Sequence, residues 1–416
     1  MGRRVVVTGI GVLASNGVGK TAFWEALQKG QSGVKTISRF DASSYRSRIA
    51  GEIDIDPLQY LTSRRAKHLS FFTQLAIIAS KEAMEDSGID LSKISLEDVG
   101  VVFGTAAGGM DRAEEQHDVM RDRGIRSVDP HFTAAMIPNA ASGEVSLEFG
   151  THGVNLTVST ACSSGANAIG YSFECIKNRR ADIIITGAAE APIVPLTYGL
   201  FSIAHQLSSN NDHPEEASRP FEGKRDGMVL SEGAAVLILE EMKHATSRGA
   251  RIYAEIVGYG ITADAYSMQT LDPTGGSAGR AIEIALKVAN MAPEDIDYVC
   301  AHAVGSHRGD RKEVNAIKKA LKDHAYKIPA SSIKSMTGHP FGAAGALQAA
   351  AGIMTINDGV VTPTINYEMP DPDCDLDFVP NEARRMKVDN VLLNSFGLGG
   401  NNASLILKRF DKSDHK

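Results

Sequence analysis

The chain alternates between strand-like and helix-like segments along most of its length, and this alternation constrains its fold more than any other feature. Short apolar runs rich in β-branched residues, such as residues 5–8, 99–103 and 298–302, predict buried strands. Longer segments with helical spacing, such as residues 70–87 and 343–356, lie between such runs. The pattern predicts an α/β fold with buried sheets.

Residues 158–166, Val-Ser-Thr-Ala-Cys-Ser-Ser-Gly-Ala, contain a cysteine between a strand-like run and a helical pattern. This arrangement predicts that Cys162 lies at a helix N-terminus, where free N–H groups and the helix dipole favour the thiolate. Its small neighbours leave room for an acyl group, and nearby N–H groups could hold an oxyanion. A lone cysteine is more commonly a buried core residue. This segment alone therefore leaves both interpretations open.

Two histidines occupy similar positions further along the chain. His302 ends the strand-like run 296–302 and precedes a turn that contains Gly305, and His339 leads into the small-residue helix that begins at Gly342. A third glycine-rich turn covers residues 394–401. A cysteine and two histidines that each end a strand-like run beside glycine favour one shared site.

The composition excludes several classes of protein. A net charge of −7 argues against nucleic acid as a partner. Four cysteines form neither a disulfide framework nor a paired Cys-x-x-Cys motif, which favours a reducing compartment. No run reaches the roughly 18 apolar residues that a membrane span requires, and Gly9 and Gly11 interrupt the first apolar run. We expect a first strand rather than a signal peptide, and a cytoplasmic protein without a membrane partner.

Five motifs resemble, in order and spacing, those of the β-ketoacyl-acyl-carrier-protein synthases, type II-like condensing enzymes of the thiolase superfamily. They are residues 160–165 (TACSSG), 218–221 (SRPF), 225–227 (RDG), 334–339 (KSMTGH) and 394–397 (NSFG). The resemblance implies the thiolase-type fold, an α/β fold of five αβαβα layers built by duplication. Residues 1–250 would form the half that carries Cys162, and residues 251–416 the half that carries His302 and His339.

The resemblance implies an acyltransferase that catalyses a decarboxylative Claisen condensation. Cys162 would hold an acyl chain, and His302 and His339 would hydrogen-bond the thioester carbonyl of a malonyl group as decarboxylation makes an enolate. The implied oxyanion hole consists of the N–H groups of Cys162 and Phe396. Lys334 matches a family lysine that would organise the site or favour the thiolate, with a purely structural salt bridge as the alternative. The chemistry requires no cofactor, and the sequence shows no metal-ligand cluster.

The implied substrate pocket departs from the family pattern. Its residues are Ala107, Phe132, Phe201, Val304, Ser306 and Leu398. Ala107 stands where housekeeping enzymes tend to have isoleucine, and Leu398 where a phenylalanine commonly gates the site. Val304 replaces a threonine that usually binds the pantetheine arm, whereas Ser306 keeps a hydroxyl. Gln348 stands where many relatives have glutamate. These changes favour a specialised enzyme of polyketide or polyene synthesis, with neutral drift in a general fatty-acid enzyme as the alternative.

An acyl carrier protein with phosphopantetheine-linked acyl and malonyl groups is the implied partner. Carriers are acidic, so the docking surface is expected to be basic. The candidate docking residues are Arg64, Arg65, Lys67, Arg126 and His205. For each of them a solvated charged face is the alternative. The family forms dimers, and the second subunit is either an identical chain or a related ketosynthase-like chain.

Three related functions compete with the condensing enzyme. Chain-length-factor-like subunits and malonyl-carrier decarboxylases tend to lose the nucleophile, so the presence of Cys162 argues against both. A thiolase would need a second catalytic cysteine near the C-terminus, where this chain has Asn401 and Asn402. Fold analogy alone does not separate these functions, so the distinction rests on the site residues.

Overall fold

The computed structural model of the protein describes residues 2–411. The strands are β1 (Val5–Ala14), β2 (Gly17–Val18), β3 (Lys35–Thr36), β4 (Ile49–Ala50), β5 (Val99–Gly104), β6 (Asn155–Val158), β7 (Ile183–Glu190), β8 (Gly233–Glu241), β9 (Ala254–Ala263), β10 (Tyr298–Cys300), β11 (Ala330–Ser331), β12 (Val360–Val361), β13 (Arg384–Arg385), β14 (Asn390–Gly397) and β15 (Asn401–Lys408). The α-helices are α1 (Lys20–Gln28), α2 (Ser63–Ala66), α3 (Phe71–Ser87), α4 (Met110–Arg123), α5 (Phe132–Met136), α6 (Ala140–Phe149), α7 (Ser164–Lys177), α8 (Pro195–Ile203), α9 (Met242–Ser247), α10 (Gly276–Ala289), α11 (His307–Leu321), α12 (Lys334–Thr337) and α13 (Ala344–Asp358).

The large sheet consists of two halves with the same topology. The strand order is β6-β5-β7-β8-β1 in the first half and β11-β10-β14-β15-β9 in the second. In each half the first two pairings are parallel and the last two are antiparallel. The halves join where β1 pairs with β9, between Val5 and Ile256 and between Val7 and Ala254. The order of strands along the chain is also the same in both halves, although no strong sequence repeat accompanies it.

Helices and sheet halves form five layers that pack around three apolar cores. One core packs α3 and α6 against the outer face of the first half, and another packs α10 and α11 against the outer face of the second. The central core lies between the halves and contains α7 and α13. This is the αβαβα arrangement that the resemblance implied. Strands such as β7 and β8 are buried along their whole length, as expected for strands covered on both faces.

The two central helices approach each other closely because their facing residues are small. A Cβ atom on Gly345 of α13 would lie 2.6 Å from the backbone nitrogen of Ala166 in α7, and one on Gly165 would lie 2.7 Å from the carbonyl oxygen of Gly342. Only glycine fits at these contacts. The close approach brings the beginning of α7, which follows Cys162, next to the beginning of α13, which follows His339.

Among residues 2–411, no helix combines the length and the apolar character needed to cross a membrane.

Candidate active site

Cys162 lies in the turn that joins β6 to α7. Thr160 and Cys162 form an isolated bridge, and Ala161 between them has a φ of 52°. This left-handed conformation costs an alanine about 1–2 kcal/mol. Ser164 stabilises the turn, because its hydroxyl accepts from Thr160 N at 2.9 Å and donates to Ala161 O at 2.6 Å. The turn presents the Cys162 thiol to a cavity between the two halves.

His302 and His339 reach the same cavity from the second half. His302 follows β10, whereas His339 follows the one-turn helix α12, which ends at Gly338 with a φ of 68°. His339 Nε2 lies 3.1 Å from Cys162 Sγ. The two imidazole rings are 5.6 Å apart and perpendicular to each other. The structure therefore brings together the cysteine and both histidines that the sequence assigns to one site.

The surroundings of these side chains determine their charge. Burial, reinforced by the positive charge of Lys334, holds the pKa of both imidazoles well below the ordinary value of 6.5. Burial also raises the pKa of the Cys162 thiol to about 11, although Lys334 and two backbone N–H groups act in the opposite direction. Desolvation therefore opposes the thiolate that the helix N-terminus was expected to favour. The same burial favours a thiol beside two neutral imidazoles in the resting site.

Nδ1 is the buried nitrogen of each imidazole. Neither Nδ1 atom has a hydrogen-bond partner within residues 2–411, so the protein does not fix either tautomer through this nitrogen. Nε2 of His339 meets the Cys162 sulfur, and either atom of this pair can carry the shared proton. The contact gives the thiol a proton acceptor at hydrogen-bond distance.

Lys334 and Glu313 hold the backbone of His302 from opposite sides. Lys334 Nζ donates to the His302 carbonyl oxygen at 2.7 Å, while Glu313 Oε1 accepts from the His302 N–H at 2.8 Å. Burial lowers the pKa of Lys334 and raises the pKa of Glu313. The Lys334 side chain donates to a carbonyl and to the amide of Gln348. This geometry places Lys334 in the support of the candidate catalytic residue His302 rather than in a surface salt bridge.

Gln348 links strands β10 and β14, which precede His302 and the glycine-rich turn. Its Nε2 donates to the carbonyl oxygens of Cys300 at 3.2 Å, Ala301 at 2.7 Å and Asn394 at 3.0 Å. The pairing of β10 with β14 ends at Cys300, so the amide bridges the strands where their own ladder stops. Its Oε1 accepts from Lys334 at 3.1 Å, which fixes the orientation of the amide. The sequence marked Gln348 only as a departure from relatives, and the structure shows it at the centre of a buried network.

The glycine-rich turn after β14 packs directly on the cysteine. A Cβ atom on Gly397 would lie 2.6 Å from Thr160 O, so only glycine fits there. The backbone N–H of Leu398 donates to the Cys162 sulfur. Phe396, the expected donor, lies within β14 opposite Asn402, and its ring packs 5.6 Å from that of His302. The N–H that reaches the sulfur is therefore that of Leu398 instead of Phe396, two residues further along the turn.

The catalytic cavity has a volume of about 1010 Å³. Five of the six expected pocket residues line it, namely Ala107, Phe201, Val304, Ser306 and Leu398. Phe132 does not line the cavity. It begins α5, which packs beside α4 and borders a second, smaller cavity through Ala134 and Ala135. The expectation that Phe132 lines a substrate pocket stays a prediction, because this cavity is formed by one chain only.

Ser306 lines the cavity and also stabilises the beginning of α11. Its side chain caps α11 by accepting from the Gly309 N–H at 3.3 Å, and Asp310 accepts from the N–H groups of Val304 and Ser306 at 3.0 and 3.3 Å. The hydroxyl proton of Ser306 remains available as a donor. The altered turn is thus held rigidly and still offers one hydrogen bond to a ligand.

Glu190, which the sequence did not single out, supports the loop that carries Ala107. This buried carboxyl group accepts from the backbone N–H groups of Ala106 and Ala107, the second at 3.3 Å. Burial raises its pKa to about 7. Its contacts span more than 80 residues of sequence, so no local pattern could have revealed them.

The candidate docking residues do not share one environment. Arg64, Lys67 and Arg126 are exposed. Arg65 is only partly exposed and pairs with Glu144 at 3.0 Å and with Glu148, so much of its charge is already neutralised, and its role in carrier docking stays a prediction. His205 lies in the lining of the catalytic cavity, and its Nδ1 is 2.6 Å from Nη1 of the exposed Arg46. Arg46, which the sequence analysis missed, adds a cation at this edge of the cavity.

Comparisons with known proteins agree with this geometry. The family model described as "Beta-ketoacyl synthase, N-terminal domain" matches residues 2–245, and that described as "Beta-ketoacyl synthase, C-terminal domain" matches residues 253–368. The 3-oxoacyl-[acyl-carrier-protein] synthase 2 of Coxiella burnetii is 45% identical over 408 residues, which cover 98% of this chain and 99% of the relative. The ketoacyl synthase alpha subunit of the tetracenomycin polyketide synthase of Streptomyces glaucescens is 44% identical over 98% of this chain and 97% of the relative.

Solved structures show the same similarity. A type II polyketide synthase ketosynthase, bound to a hexaketide and in complex with its acyl-carrier protein, has a TM-score of 0.91 and 35% identity, and covers 99% of this chain and 100% of that one. The ishigamide ketosynthase/chain length factor has a TM-score of 0.93 and 32% identity, with the same coverage. Together with the family matches on both halves, these similarities show that the chain belongs to the β-ketoacyl synthase family.

Proposed function

We propose that this protein is a β-ketoacyl-acyl-carrier-protein synthase that elongates acyl chains by decarboxylative Claisen condensation in fatty-acid or polyketide synthesis. The observation that carries the proposal is the contact of 3.1 Å between Cys162 Sγ and His339 Nε2, with the ring of His302 5.6 Å from that of His339. A nucleophile, a proton acceptor and a second neutral imidazole thus meet in one cavity.

The first step loads the enzyme. The Cys162 sulfur attacks the carbonyl of a carrier-bound acyl thioester, and its proton passes to His339 Nε2. The N–H groups of Cys162 and Leu398 are the proposed oxyanion hole for the tetrahedral intermediate. The intermediate collapses by breaking the bond to the carrier sulfur, which takes the proton from His339. At the end of this step the acyl group is bound to Cys162 as a thioester.

The second step makes the carbon nucleophile. A malonyl thioester binds with its carbonyl oxygen between His302 and His339, and the bond to its carboxylate breaks. Carbon dioxide leaves, and the electron pair forms an enolate whose oxygen accepts hydrogen bonds from the two Nε2 atoms. Neutral imidazoles suit this task, and burial keeps both rings neutral by lowering their pKa. The enolate carbon attacks the acyl-Cys162 carbonyl, and release of the sulfur regenerates the thiol after protonation.

The proposed partner is an acyl carrier protein. The exposed cations Arg64, Lys67 and Arg126 offer a basic surface for an acidic carrier, and Arg46 beside His205 offers another at the edge of the cavity. Ser306 and Thr270 also line the cavity and carry hydroxyl groups that suit the amides of a pantetheine arm. The phosphopantetheine arm would carry both the acyl and the malonyl groups into the cavity.

The proposal includes a dimer with an identical or related chain. Within residues 2–411, β6 has a single neighbour, β5, and its other edge is open. Asn155 and Leu156 of this strand are exposed. An open strand edge with an exposed apolar side chain, here Leu156, favours pairing with a second chain. We also propose residues 1–250 and 251–416 as the two halves, and a cytoplasmic location supported by four free thiols.

Two alternative functions are less well supported. A malonyl-carrier decarboxylase needs no acyl nucleophile, and a chain-length-factor-like subunit needs no complete catalytic set. The Cys162 thiol is present and lies in contact with His339, which neither function requires. Both remain outcomes of the experiment below.

The experiment is intact-mass analysis of the purified protein after incubation with acyl-carrier thioesters of several lengths, with and without malonyl-carrier protein. Wild type is compared with Cys162→Ala and with Cys175→Ala, a control cysteine in the core on α7. We expect an acyl adduct on wild type and on Cys175→Ala that malonyl-carrier protein consumes to give a β-ketoacyl product. Conversion of malonyl-carrier to acetyl-carrier without an adduct would establish the decarboxylase, and the lengths accepted would separate fatty-acid from polyketide chemistry.

A further inference from the structure

A cluster of two histidines and an aspartate lies apart from the catalytic cavity. His68 follows α2, and Asp129 and His131 precede α5. One potential ligand atom of each side chain lies within 4.8 Å of those of the other two. His68 and His131 line a cavity of about 320 Å³ that shares no residue with the catalytic one.

The carboxylate of the cluster is held in place by its neighbours. Asp129 Oδ1 accepts from the His131 N–H at 2.9 Å, and Oδ2 accepts from Arg112 Nη2 at 3.0 Å. The Asp129 N–H donates to the buried Gln116 side chain at 2.8 Å. Ligating carboxylates in metal sites are themselves hydrogen-bonded in this way, which fixes their direction. Two residues of α4 therefore orient Asp129 before any ligand binds.

The imidazoles of the cluster have unused nitrogen atoms. His68 Nδ1 lies 3.4 Å from Asp129 Oδ2, and the rings of His68 and His131 are 4.5 Å apart with a tilt of 53°. Within residues 2–411, no other hydrogen bond involves either ring. Three of the four ring nitrogens are thus free to bind a ligand, and the adjoining cavity gives access from solvent.

We propose that His68, Asp129 and His131 form a binding site for one divalent transition-metal ion, best represented by zinc. Two imidazole nitrogens and one carboxylate oxygen are a donor set that zinc accepts, with water from the cavity as the fourth ligand. Magnesium and calcium prefer oxygen ligands, so this set discriminates against them.

The surrounding charges predict a moderate affinity. Arg65 also lines the cavity, but its charge is neutralised by Glu144 and Glu148. Arg64 is exposed at the same cavity and opposes a cation, and Arg112 pairs with Asp129 at 3.0 Å and so offsets part of the charge of the carboxylate. We therefore expect weaker zinc binding than at a structural zinc site with four protein ligands.

The test is titration of tag-free protein with zinc by calorimetry and with cobalt by visible absorption. Every sample carries Cys162→Ala, because the catalytic thiol and its two histidines would bind the same metals. His68→Gln, Asp129→Asn and His131→Gln are compared with His213→Gln, a control in the exposed group His213, Glu215 and Glu216. Unfolding midpoints without metal establish that the variants fold.

We expect about one equivalent of metal, at least tenfold weaker binding in each cluster variant, and no change in His213→Gln. Cobalt should give an absorption spectrum of four-coordinate nitrogen and oxygen ligation that His131→Gln abolishes. Absence of saturable binding, or binding that survives both histidine substitutions, would overturn the proposal. The result does not depend on catalytic activity, so the two proposals fail independently.

Discussion

The ammonium group of Lys334 donates a hydrogen bond to the carbonyl oxygen of His302 at 2.7 Å. A buried cation thus supports the catalytic imidazole through its backbone, at a cost in desolvation that lowers the pKa of Lys334. Loss of this proton would weaken the support and remove a positive charge that keeps both imidazoles neutral. The stability and the activity of the enzyme at alkaline pH therefore test this role of Lys334.

Stability and activity should change in opposite directions at alkaline pH. Between the lowered pKa of Lys334 and its ordinary value of 10.5, the unfolded chain binds more protons than the folded chain. The contribution of Lys334 to the free energy of unfolding therefore increases as pH rises through this window, while kcat falls because the charged form is lost. Denaturation and rate measurements across this range, on wild type and Lys334→Met, check both trends. Equal slopes for the two proteins would contradict the assignment.

The two histidines should differ in the half-reaction that they support. His339→Ala is expected to slow acylation of Cys162, because Nε2 is the proton acceptor at 3.1 Å from the sulfur. His302→Ala is expected to leave acylation largely intact and to slow condensation by about 10²–10⁴-fold. Carrier-thiol release measured without malonyl-carrier protein reports the first step, and product formation reports the second. An equal loss of both steps in both variants would argue against this division.

Gln348→Met should destabilise the protein strongly. The thioether cannot donate to the carbonyl groups of Cys300, Ala301 and Asn394, and each buried group left unpaired costs about 1–3 kcal/mol. We expect a loss of at least about 2 kcal/mol in the free energy of unfolding and a lower kcat. Urea denaturation checks the first effect. Gln59→Met, on the surface, is the matched control and should change little.

Glu190 should make the protein less stable as pH rises through the acidic range. Burial raises the pKa of its carboxyl group from 4.5 to about 7, so the folded chain binds more protons than the unfolded chain in this window. The free energy of unfolding should fall with increasing pH by up to about 3 kcal/mol from this group. Glu190→Gln keeps an acceptor for Ala106 and Ala107 and should remove this part of the slope. Denaturation between pH 4.5 and 7 measures the difference.

Ala107 should influence the size of the acyl group accepted. It lines the catalytic cavity beside Cys162, and a larger side chain would occupy space that the acyl chain needs. Ala107→Ile is expected to lower kcat/KM for long acyl chains by about tenfold or more, with a smaller effect on acetyl or butyryl groups. A uniform effect on all lengths would indicate a distorted loop rather than a narrower pocket.

The sequence predicted the elements, and the residues that meet in the cavity, because both leave local signals. Apolar runs marked β1, β5 and β10, and small residues beside glycine marked the turns that carry Cys162 and His339. Contacts between distant residues leave no such signal. The ion pairs of Arg65 with Glu144 and Glu148, for example, join residues 79 and 83 positions apart.

Geometry on the scale of one or two residues is also not predictable from the sequence. Whether Phe396 or Leu398 directs its N–H at the sulfur depends on the path of the glycine-rich turn after β14, which composition does not determine. The pKa of Cys162 depends on the balance between burial and the helix dipole, and only the packed structure gives the burial. The duplication likewise appears only in strand order and pairing sense, because the two halves share no strong sequence repeat.

The pairing of β1 with β8 has a consequence for biosynthesis. The ribosome makes Val5–Ala14 first, but its partner strand Gly233–Glu241 emerges more than 200 residues later, and β9 later still. At ordinary synthesis rates this delay is roughly 10–50 s. Apart from its short pairing with β2, this fully buried apolar strand must wait unpaired through this interval. Yield on overexpression should therefore respond more to lower temperature and slower synthesis than to changes at the catalytic residues.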